Sequence, residues 1–409
     1  MAEYQITLDD AQIQALLADT RGLAPVVEQV LNRIIAEQVT AFVQAGRYER
    51  TATRHDHRNG TRTRFLATRL GRLQLRVPRV RGGGFQPTVF ARYQRSEQAF
   101  LATVMEMVVT GVSTRKVQRI TTELCGTRIS AMQVSRICQG LDSVVTAWRT
   151  RSLAETHYPV RLVDALRLKI REGGHVRAKS GLVVTGVTAE GYREILALEI
   201  GDSEAHATWG ATFAGRKARG LTGVDLVVSD QHAGLVAAIA QHFQGATWQR
   251  CQTHFTRNIL TAAPKAQQPA LGRALRGVLT APDRATADTL VARVHAQFTA
   301  TAPKALPILD DGLEDALAIL AYPEAVRVRL RTTNGVERLN EEIRRRERVI
   351  RIFPHDASAL RLLGAVLLEI HEQWATGRRY LNPTSFPASW TAASPEVAQR
   401  PAAETAAVS

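Results

Sequence analysis

Cysteine is scarce in this chain, and Cys125, Cys138 and Cys251 form no even-numbered framework. A secreted fold stapled by disulfides is thereby excluded, and free thiols in a reducing, cytoplasmic setting are expected. No stretch approaches the roughly 20 apolar residues that a membrane span needs. The acidic opening MAEYQITLDD is not a signal peptide. Lysine is also rare, at Lys116, Lys169, Lys179, Lys217, Lys265 and Lys304, yet the 409 residues carry a formal net charge of +15. Arginine therefore supplies the charge. A balance this basic fits a polyanionic partner, bound through phosphate neutralisation and counterion release.

The positive charge is concentrated. Segment 47–95 holds thirteen Arg and no Lys against Glu49 and Asp56, which is +11 of the +15. Codon bias in a GC-rich genome accounts for Arg over Lys but not for this clustering. The planar guanidinium fork binds two phosphate oxygens at once, which makes Arg62, Arg64, Arg76 and Arg79 candidate DNA contacts.

The chain is long enough for two to three domains. Residues 1–46 read as a helical region, with Ile13, Leu16, Leu17, Val26, Val30, Leu31 and Ile34 at helical spacing. Across the Arg-rich segment 47–96, Asn59-Gly60 and Gly82-Gly83-Gly84 are turn signals, and the alternation from Phe65 to Val77 predicts a strand pair with outward Arg. Part of this segment is expected to order only on DNA. Region 97–150 returns to helical spacing. Stretches 113–124 and 130–141 each open on a capping Ser and flank Gly126, as in a helix-turn-helix, with Ser130, Gln133 and Arg136 on the candidate recognition helix. Paired helices of this kind also serve packing or dimerisation.

Strand periodicity takes over at 160–170, 181–188 and 192–200, with a hairpin link at Ala189-Glu190-Gly191 and a helix starting near Asp202. Strand 224–229, helix 232–243 and strand 246–251 complete an α/β unit. Residues 252–330 are mostly helical, punctuated by proline. A basic helix and an apolar helix over 357–374 follow, and a Pro/Ala/Ser/Thr-rich tail, 383–409, is expected to be disordered.

Three acids stand out. Asp164 shares a strand face with Val160, Leu162, Leu166, Leu168 and Ile170, where an uncompensated carboxylate is costly to desolvate. It needs a metal, a hydrogen-bond network or a cation such as Lys169. Asp230 follows strand 224–229, at the carboxyl end where α/β sheets bind ligands, but it could equally cap the next helix. Glu337 lies three residues after Asn334, a capping-box spacing. Glu341 with Arg345 and Glu342 with Arg346 have the orientation of helix ion pairs, which leaves Glu337 without a local cation. Arg344 and Arg345 belong to a basic run that is either a solvated face or a phosphate clamp. Cys251 and His254 form a C-x2-H pair, too few ligands for structural zinc, so packing and hydrogen bonding beside a site is the expected role. Arg250 and His254 are candidate contacts to DNA or the transition state.

Five ordered blocks carry a family resemblance: VDALRLKI at Asp164, GYREILALEIGDSEA at 191–205, ARGLTGVDLVVSDQHAGL at 218–235, WQRCQTHFTRNIL at 248–260 and RTTNGVERLNEEIRRRERVIRIFP at 331–354. With RNGTRTR, LQLRVPRVRGG and GVSTRKV upstream, the chain resembles the mutator-type transposases of bacterial insertion sequences. The resemblance implies an α/β catalytic core of ribonuclease-H-like, DDE type, in two parts (157–251 and 331–382) around an all-α insertion, 252–330. It implies a mainly helical N-terminal DNA-binding region that recognises the element's inverted repeats. Asp164, Asp230 and Glu337 would bind two Mg²⁺ or Mn²⁺ ions for cleavage of the element ends and their joining to target DNA. Two ends must meet, so at least a homodimer is expected, acting on double-stranded DNA in the bacterial cytoplasm and nucleoid, with no membrane partner. The alternatives are a ribonuclease-H-like nuclease without strand transfer and a non-catalytic DNA-binding repressor.

Overall fold

The apolar alternation that begins at Val160 builds the longest strands of the protein. In a computed structural model that describes residue 13 and residues 23–89, 96–126 and 128–391, β3 (Val160–Glu172) and β4 (His175–Val187) pair antiparallel along their whole length. The turn is Gly173-Gly174, with φ of +55° and +83°. Positive φ at both central residues matches the right-handed twist of the flanking strands, which lets the hairpin run further than the separate strands 160–170 and 181–188 would. β5 (Arg193–Gly201) adds antiparallel to β4, while β6 (Leu226–Ser229) and β7 (Thr247–Arg250) add parallel on the other side of β3. The order is β5-β4-β3-β6-β7. The protein is thus mixed α/β.

Helices α6 (His206–Ala218) and α7 (Ala233–His242) cover one sheet face, burying Trp209, Phe213, Leu235 and Ile239 against Val163, Leu182, Val184 and Val227. Each large side chain buried this way contributes about 2 kcal/mol or more. The helix expected near Asp202 starts only at His206, because Asp202 faces Lys179 at 3.2 Å instead of capping. Residues 252–330 form α8 (Gln252–Ala262), α9 (Gln268–Leu279), α10 (Arg284–Phe298), α11 (Leu306–Leu317) and α12 (Glu324–Leu330), with a 3₁₀ turn after α11. Phe255, Leu271, Leu275, Val278, Phe298 and Leu309 give these helices their own core. Buried Gln249 at the end of β7 donates to Ala316 O (2.9 Å) and accepts from Ile319 N (2.6 Å), which ties the helices to the sheet. Then come α13 (Asn334–Ile350) against β3 and α14 (Asp356–Thr376) along β5.

This unit begins at Leu141; the residues up to Gly140 form a separate one. The helix Leu141–Thr150 (α5) packs on α14 of the later unit, through Asp142 to Arg361 (2.6 Å). In the earlier unit α1 (Leu23–Val43) covers the hairpin of β1 (Arg58–Thr68) and β2 (Gly71–Val80), with Ile35, Leu66, Leu73, Leu75 and Val77 between them. This hairpin accounts for the middle of the Arg-rich segment 47–96, of which residues 90–95 lie outside the described residues. Its turn lies between Thr68 and Gly71; Asn59-Gly60 instead makes a bulge in β1, with Gly60 at φ +75°. Helices α2 (Gln98–Val109), α3 (Thr114–Cys125) and α4 (Ala131–Cys138) pack around Phe100, Val104, Val117 and Val134.

At the chain ends one expectation changes. Most of the first 22 residues of the expected N-terminal helical region lie outside the described residues. Disorder does not begin at 383: Pro383–Ser385 is a 3₁₀ turn and Ala388–Thr391 a short helix (α15), anchored by Trp390, fully buried beside Tyr322 and Phe386. Two aromatic anchors outweigh the loop-like composition around them. Residues 392–409 lie outside the described residues. Among those described, no helix is long and apolar enough to cross a membrane.

Candidate catalytic cleft

β3 outruns its parallel neighbour. β6 pairs with β3 only as far as Leu162 opposite Val228. Two residues further along each strand come Asp164 and Asp230. Adjacent strands lie about 4.8 Å apart, so the topology brings these two acids to one level of the sheet. Past that level β6 no longer pairs with β3, and this edge is taken up again only at Lys169–Arg171, by Phe353; the cleft forms in between.

The third acid arrives on α13. Val336, Leu339, Asn340, Ile343 and Arg346 are its buried residues, a stripe at helical spacing that packs on β3. Glu337 flanks this stripe. Asn340 Nδ2 donates to Asp164 Oδ2 at 2.8 Å, and the Ala165 N–H donates to Asp164 Oδ1 at 2.9 Å. Asp164, His254, Arg257, Glu337, Asn340, Glu341 and Arg344 line a cleft of about 260 Å³. Asp230 is not on its wall, but its charge acts on Asp164 from the neighbouring strand.

None of the local alternatives for the three acids is present. Asp164 is bonded to Asn340, not paired with Lys169. His232, not Asp230, is the N-cap of α7, with no side-chain cap bond. Thr333 is the N-cap of α13, and Asn334 accepts from Thr253 Oγ1 (3.2 Å), so Asn334 and Glu337 form no capping box. The pairing within α13 also differs. Arg345 and Arg346 both bind Glu342, at 2.9 and 3.0 Å, and Glu341 turns to the cleft. Glu341 is therefore a cleft residue and not half of an ion pair with Arg345.

Burial leads the electrostatics of Asp164. It raises the carboxyl to about 6; the Ala165 N–H and His254 oppose this, and the negative charges of Asp230 and Glu337 add to it. His254 Nε2 stands 3.7 Å from Glu337 Oε1. The imidazole is pushed up to about 9, first by the Cys251 side chain, then against burial by the charges of Cys251, Asp164 and Glu337. This favours the protonated ring beside Glu337, in a cleft that Arg257 and Arg344 also line. Cys251 is fully buried, and its Sγ accepts from the Thr333 N–H (3.3 Å) and hydroxyl (3.2 Å). Burial raises the thiol, but the neighbouring His254 and the two bonds from Thr333 outweigh it and hold it below the usual thiol range. The ligand atoms of Cys251, His254 and Glu337 lie within 4.8 Å of one another. Glu337 Oε1 and Asn340 Oδ1 are buried without a hydrogen-bond partner among the described residues. With Asp164 they offer hard oxygen donors, the chemistry of a divalent cation such as Mg²⁺ or Mn²⁺.

The other expected contacts divide by exposure. Arg344 is exposed at the cleft mouth. Arg250 is 2% exposed, its guanidinium 4.4 Å over the Phe255 ring, which leaves no surface for a phosphate. In the hairpin the arginines do not share a face: Arg62 and Arg64 stand opposite Val77 and Leu75, whereas Arg76 stands opposite Thr63. Arg79 and Arg136 are exposed. Ser130 and Gln133 close a capping box on α4, with bonds of 3.2 and 2.8 Å between them. Sequence reasoning missed Asn340, Glu341 and Arg257. For Asn340 a signal existed, since it is an amide on the helix face of Val336, Leu339 and Ile343.

The comparisons with known proteins agree along the chain. It is 42% identical over 388 residues to the transposase for insertion sequence element IS256 in transposon Tn4001 of Staphylococcus aureus, covering 93% of this chain and 99% of that one. It is 40% identical to the transposase for insertion sequence element ISRM5 of Rhizobium meliloti (90% of this chain, 92% of that one). For the transposase for IS1081 of Mycobacterium tuberculosis the identity is 41% (91% and 90%). Among solved structures, the Drosophila P element transposase strand transfer complex aligns at 9% identity and a TM-score of 0.30, over 75% of this chain and 85% of that one, too weak a likeness to inform the fold. The model for "Transposase, Mutator family" matches residues 1–377, so the chain belongs to the Mutator family of transposases.

Proposed function

We propose that the chain is a DNA transposase that cleaves the ends of an insertion sequence and joins them to target DNA at a DDE site made of Asp164, Asp230 and Glu337. The observation that carries this is the convergence of Asp164 from β3, Asp230 from the end of parallel β6 and Glu337 from α13 on one end of the sheet. Three antiparallel strands followed by two parallel ones, in the order β5-β4-β3-β6-β7, support a ribonuclease-H-like core, with 252–330 as its helical insertion. The two partnerless oxygens and the raised Asp164 carboxyl fit two divalent ions, Mg²⁺ or Mn²⁺, held by the three acids. Bound there, such ions polarise a phosphodiester and activate water or a 3′-hydroxyl.

The chain's own residues supply the rest. Asn340 fixes Asp164, and His254 balances the acid cluster before a cation arrives. Arg257 and Arg344 at the cleft mouth hold the phosphate backbone. The Arg-rich hairpin and the α3–α4 pair bind the inverted repeats, and two copies of the chain hold the two ends. The test is Mg²⁺-dependent cleavage and strand transfer on the DNA flanking this gene. Wild type is expected to give joined products; Asp164→Asn, Asp230→Asn and Glu337→Gln are expected to bind the ends and cut nothing. Cut ends that are never joined would make the protein a nuclease, and full biological activity in the three variants would make it a repressor.

A further inference from the structure

Across α13 from the carboxylate cleft lies a second, larger pocket, about 680 Å³ in volume. Arg193 from β5, Arg329 from α12 and Arg338 from α13 converge on it. Arg193 is held by aromatic faces, its guanidinium carbon 3.9 Å from the Trp374 ring centroid and 4.3 Å from that of Tyr380. The Tyr380 hydroxyl donates to Arg329 O at 3.0 Å, and the Arg329 guanidinium lies 5.2 Å from the same ring. The closest approach is allowed by Gly335 in the first turn of α13, where a Cβ would stand 3.2 Å from Arg193 Nη1.

Three guanidiniums meet here without a counter-charge. Among the described residues no ion pair engages Arg193, Arg329 or Arg338, and Glu342, the carboxylate on the pocket wall, is taken by Arg345 and Arg346. Converging like charges are unfavourable unless an anion joins them. The stacked, planar Arg193 is preorganised for an anion with paired oxygens, and the exposed Arg329 and Arg338 can close over it. The amino end of α13, whose Asn334 and Gly335 line the pocket, adds the positive end of its dipole.

We propose that this pocket binds a backbone phosphate of the DNA strand being processed, with Arg193 as its fixed base and Arg329 and Arg338 as its clamp. Arg338 follows Glu337 on the same helix. Glu337, Glu341 and Arg344 face the cleft while Gly335, Arg338 and Glu342 face the pocket, so one helix, about 10 Å across, separates the two. A strand that crosses the amino end of α13 passes from one to the other within a few nucleotides. The assignment to a DNA strand rests on the reading of the cleft as a DNA-cleaving site.

The experiment uses the full chain and DNA carrying the flanking inverted repeats, with affinity measured across a salt series. The double variant Arg329→Ala/Arg338→Ala removes two exposed cations. It is expected to weaken binding about tenfold near physiological salt and to lower the slope of log affinity against log salt by about 1.8, at about 0.9 per phosphate contact. Arg193→Lys keeps the charge but loses the planar stack, and is expected to weaken binding at an unchanged slope. Deoxyadenosine monophosphate, titrated by calorimetry at constant ionic strength, separates the possible sources of the phosphate. The monophosphate binding to wild type but not to the double variant, with DNA affinity and slope unchanged, would make this a free-nucleotide site and overturn the strand assignment. An unchanged slope with no monophosphate binding would overturn the pocket altogether. Failure of the cleft reading looks different: Asp164→Asn would still cut DNA, while the double variant would still lose its slope.

Discussion

Asp164 keeps its carboxylate at an energetic cost, with 9% of its surface exposed and a pKa pushed up to about 6. The sign follows from the raised value. Above pH 6 the folded protein carries a charge it disfavours; as pH falls from 6 toward the ordinary 3.8 that penalty is relieved. Asp164→Asn is therefore expected to stabilise the metal-free protein at pH 7.5 by about 2 kcal/mol, at roughly 1.4 kcal/mol per pKa unit less the acceptor lost to Ala165 N. Urea unfolding at pH 7.5, 6 and 4 should show that gain shrinking to nothing; a gain independent of pH would contradict it. His254 runs the opposite way. Its folded pKa is raised to about 9, so its contribution is complete below 6.5 and lost as pH rises through 9. The unusual position of Asp164 was legible from five aliphatic neighbours on its strand face. Its bond to Asn340, 176 residues away, was not.

At the scale of elements, two joints set the site. Cys251 at the start of α8 accepts two hydrogen bonds from Thr333 at the start of α13, so one buried sulfur registers the helix bearing His254 against the helix bearing Glu337. Cys251→Val fills the volume but leaves the Thr333 N–H and hydroxyl unsatisfied, and is expected to destabilise the protein by about 2 kcal/mol; Cys251→Ser should recover part of the loss. Chemical denaturation checks both, and a Val variant as stable as wild type would show that the sulfur bonds contribute nothing. The other joint is the exit from α13. Arg351 has φ +65° and ψ −48°, and Ile352 N donates to Ile350 O across it at 2.8 Å, a γ-turn that turns the chain back toward β3. A non-glycine residue is strained there, so Arg351→Gly is expected to raise stability by about 1 kcal/mol, read from the unfolding midpoint. Helix and strand types were legible throughout the later unit because their periodicities are long and clean. Ends were less so: Asp202 was spent on Lys179, and Asn59-Gly60 on a bulge, neither of which periodicity reveals.

At the scale of the whole molecule, the charge of +15 makes salt the natural variable. In the hairpin, Arg72 and Arg76 stand on the face away from α1, opposite Ala67 and Thr63, whereas Arg62 and Arg64 share the face of Leu75 and Val77 that packs on α1, Arg64 half-buried there and Arg62 exposed toward the strand end. Replacing Arg72 and Arg76 by Ala is expected to lower the slope of log affinity against log salt by about 1.8, and replacing Arg62 and Arg64 by clearly less. Equal shifts for the two pairs, in a DNA-binding titration, would mean that DNA wraps both faces.

The sequence by itself determined the classes of element, the positive charge and the three acids, because periodicity, composition and residue order are local properties. Tertiary structure alone decided that β6 stops where Asp164 and Asp230 reach one level, that Asn340 and Glu341 belong to the cleft, and that Arg250 does not reach solvent. It also gathered Arg193, Arg329 and Arg338 around one pocket from three separate elements. The physical reason is that burial and juxtaposition depend on which faces pack together, and no local pattern carries that information.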